Sequence, residues 1–209
     1  MLKAEGLGRR VDGRWIWRSL DLAVEPGERV ALVGPSGSGK TLLLRALAAL
    51  DALDEGRILL DGRLLEEWPV PRYRARVSYV PQRTTLAEGT VEANLRLPFD
   101  FQVHAGRAWD RERALELLEA LDRGEGFLHK RSEDLSGGEE QIVALVRNLL
   151  VDPGILLLDE PAASMDADLA RRAEGLVETW REEDARRAVV WTSHQVDRVA
   201  RVADRRVEL

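Results

Sequence analysis

Residues 34 to 41 have the types and spacing of a phosphate-binding loop. They match the pattern GxxxxGK[ST] and are Gly34, Pro35, Ser36, Gly37, Ser38, Gly39, Lys40 and Thr41. The glycines allow backbone N–H groups to turn toward phosphate oxygens, and a following helix adds its positive dipole end. We expect Lys40 to reach the β- and γ-phosphates and the Thr41 hydroxyl to be a Mg²⁺ ligand. The segment therefore predicts a site for a nucleoside triphosphate and Mg²⁺.

An acidic segment later in the chain complements this loop. The apolar run from Ile155 to Leu158 ends in two carboxylates, Asp159 and Glu160. In open α/β sheets, ligands bind at the carboxyl ends of the strands, where these two side chains are expected to lie. Asp159 is expected to hold Mg²⁺ through water, and Glu160 to orient or deprotonate the attacking water. Behind a phosphate-binding loop, the pair predicts hydrolysis of a phosphoanhydride.

The segment Leu135 to Glu139, LSGGE, comes directly before a long helical pattern. One interpretation is a helix cap in which Ser136 and Glu139 satisfy the first backbone groups. The other is a second phosphate-binding helix N-terminus, in which the Ser136 hydroxyl and the amides of Gly137 and Gly138 face a γ-phosphate. The residues alone leave both interpretations open.

The surrounding pattern predicts the elements that must position these residues. Apolar or alternating runs predict strands at 14–24, 29–33, 76–80, 155–159 and 188–192, with a hairpin turn at Asp61-Gly62. Helical patterns occur at 41–50, 90–97, 110–121, 136–151, 166–184 and from about 195. Strands that alternate with helices of this length indicate an α/β fold with a mostly parallel sheet covered on both faces.

Composition excludes several classes of protein. The 209 residues contain no cysteine, which excludes disulfides and thiolate metal sites, and the three histidines have no metal-ligand spacing. The 31 basic and 37 acidic residues give a net charge of −6, which argues against nucleic acid as a partner. We find neither a signal peptide nor a run approaching the roughly 20 apolar residues of a membrane span, so the sequence predicts an intracellular chain.

Taken in order, the motifs resemble those of the ATP-binding subunits of ABC transporters. The resemblance covers nearly the whole chain, with Walker A at 34–41, a Gln-loop at 80–82, the signature at 135–139, Walker B at 155–160, a D-loop at 163–166 and a switch histidine at 194. It implies a P-loop NTPase core with an antiparallel β part, at 1–82 and 152–209, and an inserted α-helical signature subdomain at 83–151.

The resemblance also implies roles for residues that would be unremarkable alone. Gln82 is expected to be a Mg²⁺ ligand beside Thr41 and Asp159 and to link the metal and water site to the helical subdomain. His194 is expected to hydrogen-bond the γ-phosphate, and Asp166 to help arrange a dimer interface. Glu160, His194, Gln82 and Lys40 form the expected catalytic set.

The expected cofactors are ATP and Mg²⁺, and the expected partners are of two kinds. In this family the signature helix of one subunit completes the Walker A site of another, so ATP joins a head-to-tail dimer with a second copy or a paralogous ATPase subunit. The second partner is an integral membrane permease, which implies a peripheral position on the cytoplasmic face of the membrane. A docking groove for the permease would be formed by five residues: Val91, Leu95, Pro98, Phe99 and Phe101. The alternative role for the same residues is in the core of the helical subdomain.

Three positions depart from the family pattern. Val11 stands where an aromatic residue usually stacks on adenine, and Trp15 and Trp17, although close, are better explained by cross-strand packing. Leu42 replaces a hydroxyl residue that contacts the α-phosphate, and Ile142 replaces an arginine whose loss has no consequence that we can derive. We hypothesise relaxed base choice, with other nucleoside triphosphates hydrolysed as well as ATP.

Two function classes remain open, a transporter subunit and a free-standing soluble NTPase. Neither the fused duplication typical of translation factors nor the coiled coil or zinc module of repair proteins fits 209 residues without cysteine, so the transporter subunit is favoured. Within transporters, the strings VSYVPQ, VEANLRLPF, LSGGEEQ and LVRNL are similar to the ATPase of the bacterial iron-export (Fet) system. This similarity suggests iron or another metal as cargo.

Overall fold

The computed structural model describes residues 1–193 and 196–209. The strands are β1 Leu2–Val11, β2 Arg14–Val24, β3 Arg29–Val33, β4 Glu55–Leu60, β5 Arg63–Leu64, β6 Val77–Val80, β7 Ile155–Asp159, β8 Ala188–Thr192 and β9 Arg205–Glu208. The helices are α1 Lys40–Leu47, α2 Val70–Arg76, α3 Val91–Arg96, α4 Arg111–Glu119, α5 Glu125–Leu128, α6 Gly137–Leu150, α7 Ala167–Glu182 and α8 Val196–Val202. None of these helices is long and apolar enough to cross a membrane.

The first of two compact units contains both sheets and consists of Met1–Tyr79, Gly154–Asp159 and Asp184–Leu209. One sheet has four strands in the order β2-β1-β4-β5, paired antiparallel. The other has five strands in the order β6-β7-β8-β3-β9, in which the pairings β7–β8, β8–β3 and β3–β9 are parallel. One apolar core joins the two sheets and α1, with Leu7, Ile58, Leu43, Leu157 and Val190 among its buried side chains.

The central strands of the parallel sheet form from sequence segments whose consecutive residues are apolar. Every residue of β7 and of β8 is buried. A strand whose two faces are both covered needs apolar side chains at consecutive positions, because neither face meets water. This arrangement confirms the predicted strands at 155–159 and 188–192 and brings their carboxyl ends to one edge of the sheet.

The second compact unit is helical and consists of Val80–Pro153 and Glu160–Glu183. Its helices begin where the sequence carries capping residues. Thr90 caps α3 by accepting from the Ala93 N–H at 3.1 Å, and Asp110 caps α4 by accepting from the Arg113 N–H at 2.9 Å. These side chains satisfy backbone donors that a helix cannot satisfy internally.

Val91 and Leu95 are fully buried in this unit, so the prediction that they line a docking groove is wrong. Phe101, by contrast, is exposed.

Several elements differ from the sequence prediction. The pattern gave no indication of β1, α2 or β9. The strand predicted from residue 76 begins at Val77 because α2 continues to Arg76. The helix predicted to reach Leu50 ends at Leu47, and Ala49 has a left-handed backbone with φ of 57° that ends the helical path.

Within the helical unit, α6 starts in tight contact with the segment around Ser164. A Cβ atom added to Gly138 would lie 2.8 Å from the Ser164 carbonyl oxygen, a distance at which backbone must move. A Cβ added to the neighbouring Gly137 would lie 3.7 Å from the Ser164 side chain, an ordinary contact. The two adjacent glycines therefore have different steric requirements.

We predict that Gly138→Ala lowers the free energy of unfolding by about 1 to 3 kcal/mol, because the new methyl group displaces packed backbone. Gly137→Ala is the matched control and should leave the free energy within about 0.5 kcal/mol, since its methyl group has room. Urea unfolding with an unchanged m-value measures both variants. Equal losses for the two variants would contradict the assigned contact.

Candidate nucleotide site

The phosphate-binding loop connects β3 to α1 in the sheet-containing unit. Gly39, the N-cap residue of α1, has a left-handed backbone with φ of 93°. A Cβ at Gly39 would lie 2.5 Å from Ile16 Cγ2 and 2.8 Å from Trp17 Nε1. Only glycine therefore satisfies both the backbone conformation and the packing at this point, which explains the residue type that the motif requires.

Lys40 lies at the start of α1 and is 94% buried, with 6% of its surface exposed. Its ammonium group donates to two carbonyl oxygens of the loop, those of Gly34 and Pro35, each at 2.9 Å. An ammonium group has three N–H donors, so two are used by the loop and one is left for an anion. The loop thus positions the positive charge that the sequence predicted.

Ser38 supplies a further observation that fits a phosphate. Its hydroxyl oxygen is buried and has no hydrogen-bond partner within the described part of the chain. A buried hydroxyl without a partner costs free energy, and an acceptor such as a phosphate oxygen would remove that cost. The donor set of the loop therefore suits the triphosphate that the sequence predicted.

Asp159 is the last residue of β7 and is 2% exposed. The Tyr79 hydroxyl donates to Oδ2 at 3.0 Å, and the Thr192 hydroxyl donates to Oδ1 at 2.9 Å. The pKa of Tyr79 is raised, mainly by burial and to a smaller extent by the charge of Asp159. The phenol therefore remains a donor at neutral pH. The carboxylate is thereby held by one hydroxyl on each oxygen.

These groups have the chemistry of a magnesium site. Magnesium prefers carboxylate and hydroxyl oxygens together with water. Asp159 provides the buried carboxylate, and Thr41 provides an exposed hydroxyl in the first turn of α1, a helix that packs against β7. The types of residue present in this unit fit the predicted ion.

Glu160 lies in the helical unit together with Gln82. The Gln82 side-chain amide donates to Glu160 Oε2 at 3.2 Å. Glu160 has a left-handed backbone with φ of 47°, which is uncommon for a residue other than glycine and recurs at functional sites. The structure thus brings together two of the predicted catalytic residues, which are 78 positions apart in sequence.

Ser136 and Glu139 form a capping box at the start of α6. The Ser136 hydroxyl oxygen accepts from the Glu139 N–H at 3.3 Å, and Glu139 Oε2 accepts from the Ser136 N–H at 3.0 Å. The helix-cap interpretation of this segment is confirmed. Because the Ser136 hydroxyl is used as an acceptor, its own proton is still available to donate. The phosphate-binding interpretation therefore remains compatible with the cap.

Two predicted site residues have different outcomes. Asp166 is the N-cap of α7 and accepts from the N–H groups of Asp168 and Leu169 at 3.0 and 2.9 Å. Its side chain therefore has a structural task in the chain itself, and its role at an interface stays a prediction. His194 lies outside the described residues, so its predicted contact with a γ-phosphate has no structural description.

The structure describes the surroundings of the three positions that depart from the family pattern. Val11 is exposed at the end of β1, and the Leu42 side chain packs against the apolar core, so only the Leu42 backbone remains for a phosphate. Ile142 is fully buried on α6 as an apolar core residue. Trp15 pairs across the strands with Arg10, whose guanidinium carbon lies 4.0 Å from the centroid of the Trp15 ring. Cross-strand packing of Trp15 is therefore confirmed.

Sequence reasoning missed three residues that contact candidate site residues within their own units. Tyr79 and Thr192 hold Asp159, and Gln141 contacts both the backbone of Gln82 and the backbone of Ser164. Tyr79 and Thr192 lay near the ends of predicted strands, a position that favours contact with a neighbouring strand end. No signal in the sequence indicated the contacts of Gln141.

The same family appears when the chain is compared with known proteins. The family model described as ABC transporter matches residues 17–163. The Fe(3+) ions import ATP-binding protein FbpC 3 of Rhodococcus jostii is 39% identical over 179 residues, 84% of this chain and 50% of that protein. The Phosphate import ATP-binding protein PstB 2 of Natronomonas pharaonis is 37% identical over 224 residues, 100% of this chain and 76% of that protein. The chain spans about half the length of the first relative.

A solved structure agrees over the full length. It is described as the dimeric structure of a post-hydrolysis state of an ATP-binding cassette bound to ADP and Pi. The TM-score is 0.86 and the sequence identity is 28%. The match covers 100% of this chain and 94% of the chain in the solved structure. The predicted α/β fold of an ABC ATPase is therefore confirmed. The family model, the two relatives and this shared fold establish that the chain belongs to the ABC transporter family, as an ATP-binding domain.

Proposed function

We propose that the chain binds and hydrolyses ATP and thereby powers transport through a separate membrane permease. The observation that carries this proposal is the contact between Gln82 and Glu160. A carboxylate that directly follows the buried Asp159 in sequence is held by a polar amide, as a residue that orients or deprotonates water requires. Membership of the ABC transporter family supports the same activity.

Each residue of the proposed site has a separate task. Lys40 offers its remaining N–H donor to the β- and γ-phosphates, and the loop amides and Ser38 offer further donors. Thr41 and Asp159 would hold Mg²⁺, which neutralises charge on the phosphates when bound, and Gln82 is assigned to the same ion on the family resemblance alone. Glu160 takes the proton of the attacking water or orients that water, and His194 is assigned to the γ-phosphate on the family resemblance alone.

The proposal includes a head-to-tail dimer with a second copy or with a paralogous ATPase subunit. The solved structure reported above is described as a dimer, which supports this arrangement. In it, Ser136, Gly137 and Gly138 of one subunit would complete the phosphate site of the other, and Asp166 would lie near the interface. ATP therefore stabilises the closed dimer, and hydrolysis permits it to reopen.

The proposed membrane partner follows from the family and from the names of the relatives. The relatives are named for import of Fe(3+) ions and of phosphate, and a further one for import of molybdenum. These names favour import over the iron export that the sequence suggested, and their different cargoes leave the cargo to the permease. The chain would then lie at the cytoplasmic face of the membrane, with no nucleic-acid partner at a net charge of −6.

We predict opposite effects for substitutions of the base and of the loop lysine. Glu160→Gln should lower the rate of ATP hydrolysis by about 10² to 10⁴-fold with nucleotide affinity preserved, because only the proton acceptor is lost. Lys40→Ala should weaken nucleotide binding by about ten- to a hundredfold, through loss of a charge-assisted hydrogen bond. Lys3→Ala is the matched control. Steady-state rates and calorimetric titration measure both effects, and hydrolysis near the unsubstituted rate in Glu160→Gln would overturn the assigned base.

We predict that tagged Glu160→Gln protein with Mg·ATP captures a multi-spanning membrane protein from detergent-solubilised native membranes. The slowed hydrolysis keeps the ATP-bound state, and mass spectrometry identifies the captured chain. Lys40→Ala, which should bind ATP more weakly, is the control for nucleotide-independent capture. Recovery of the chain alone or of soluble proteins only would favour a free-standing NTPase instead.

We predict that GTP and ATP are hydrolysed with values of kcat/KM within about tenfold of each other, equivalent to about 1.4 kcal/mol. The reason is that Val11 offers no aromatic ring and that Trp15 is occupied by Arg10. A panel of nucleoside triphosphates tests this, with Trp15→Ala as the comparison variant. A strong preference for ATP that Trp15→Ala abolishes would refute relaxed base choice.

A further inference from the structure

Four hydrogen bonds in the helical unit form a closed path through three separate motifs. Gln82 donates from its side-chain amide to Glu160 Oε2 at 3.2 Å, and its backbone oxygen accepts from Gln141 Nε2 at 3.0 Å. Gln141 Oε1 in turn accepts from the Ser164 N–H at 3.1 Å. Ala163, which precedes Ser164 in the chain, donates its N–H to the Glu160 carbonyl oxygen at 3.0 Å. This turn from 160 to 163 connects Ser164 to Glu160. The path begins at the carboxylate of Glu160, which is assigned as the base, and ends at the backbone carbonyl of the same residue.

Gln141 is the buried member of this path. It lies on α6, on the face of the helix that forms the core of the unit, and is 2% exposed. Both ends of its amide are used, the N–H end on Gln82 and the oxygen end on Ser164. A buried amide is stable only when such bonds are made, so its orientation is fixed.

Gln82 needs this support because it lies in a loop without regular structure. The side chain of Gln82 is exposed, and residues 81–84 form neither helix nor strand. A loop without regular structure gains its position from contacts with a rigid neighbour. Gln141 supplies such a contact from the second turn of a 14-residue helix.

We propose that Gln141 is a positioning residue, which holds the backbone of Gln82 so that the Gln82 side chain orients Glu160. The same amide holds Ser164, two residues before Asp166, so the segment from 164 to 166 is fixed to the start of the signature helix. This inference rests on the proposed hydrolytic function. It assigns Gln141 no contact with nucleotide.

Substitutions can separate the two ends of the amide. Gln141→Met has a similar length and removes both bonds. Gln141→Glu keeps an oxygen for the Ser164 N–H and places a second oxygen against the Gln82 carbonyl, where a donor is required. Asn94→Leu is the matched control, since Asn94 is equally buried in the same unit and bonds only backbone, at Ala87 and Thr90, among the contacts described for it.

The test measures kcat, the dissociation constant of ATP and amide hydrogen exchange in the full chain. We expect Gln141→Met and Gln141→Glu to lower kcat by about tenfold with the dissociation constant within about twofold. In a Gln82→Ala background, Gln141→Met should lower kcat by less than about twofold further, because residues that act through one another are not additive. Gln141→Met should also speed exchange of the Ser164 amide, whereas Gln141→Glu should retain its protection.

Three results would overturn the positioning role. One is an equal loss of kcat from Gln141→Met in both backgrounds, and another is unchanged exchange of the Ser164 amide in Gln141→Met. A similar fall of kcat in Asn94→Leu would likewise reduce the effect to general destabilisation. Hydrolysis by the unsubstituted protein that depends on Glu160 reports the proposed function separately, and its absence would overturn both proposals.

Discussion

The sheet-containing unit is organised around the requirement to keep a carboxylate buried at the end of an apolar strand. Asp159 is 2% exposed, and a buried charge is tolerated only when hydrogen bonds replace its water. The two donors come from the two neighbouring strands, Tyr79 from β6 and Thr192 from β8. Thr192 is also the register partner of Asp159. A shift of either strand by one residue would turn the donor to the other face of the sheet, so the charge and the strand register support each other.

This dependence explains which parts of the fold could be predicted. The strands β3, β7 and β8 were predicted because their apolar residues are consecutive, a pattern that burial on both faces imposes. The helical ranges predicted for α3, α4, α6 and α7 begin at the residues that cap these helices in the structure. By contrast, β9 is an edge strand with the sequence RRVE, whose residues are mostly exposed. Such a strand is stabilised by pairing with β3 and not by a local pattern, so no window of sequence indicated it.

The candidate site divides in the same way. Residue types and spacing indicated the phosphate-binding loop and the two carboxylates, because their chemistry depends on neighbours in sequence, whereas the signature segment was assigned through the family resemblance. The contacts of Tyr79 and Gln141 depend on strand register and on the face of a helix, which are set only when the unit is folded. Gln141 was the hardest to predict because it occupies a buried position of α6, where the periodicity indicates an apolar side chain.

An acidic chain can bind a polyanion when local hydrogen-bond donors, and not net charge, supply the attraction. The structural hydrogen bonds of this chain leave such donors in place. In the sheet-containing unit, Lys40 uses two N–H groups on loop carbonyls and keeps a third, and Ser38 has a buried hydroxyl without a described acceptor. In the helical unit, Ser136 uses its oxygen as an acceptor in the capping box and keeps its proton. The bonds that position Lys40 and Ser136 thus leave available the donor that an anion requires, which is why a helix cap and a phosphate site can be the same residue.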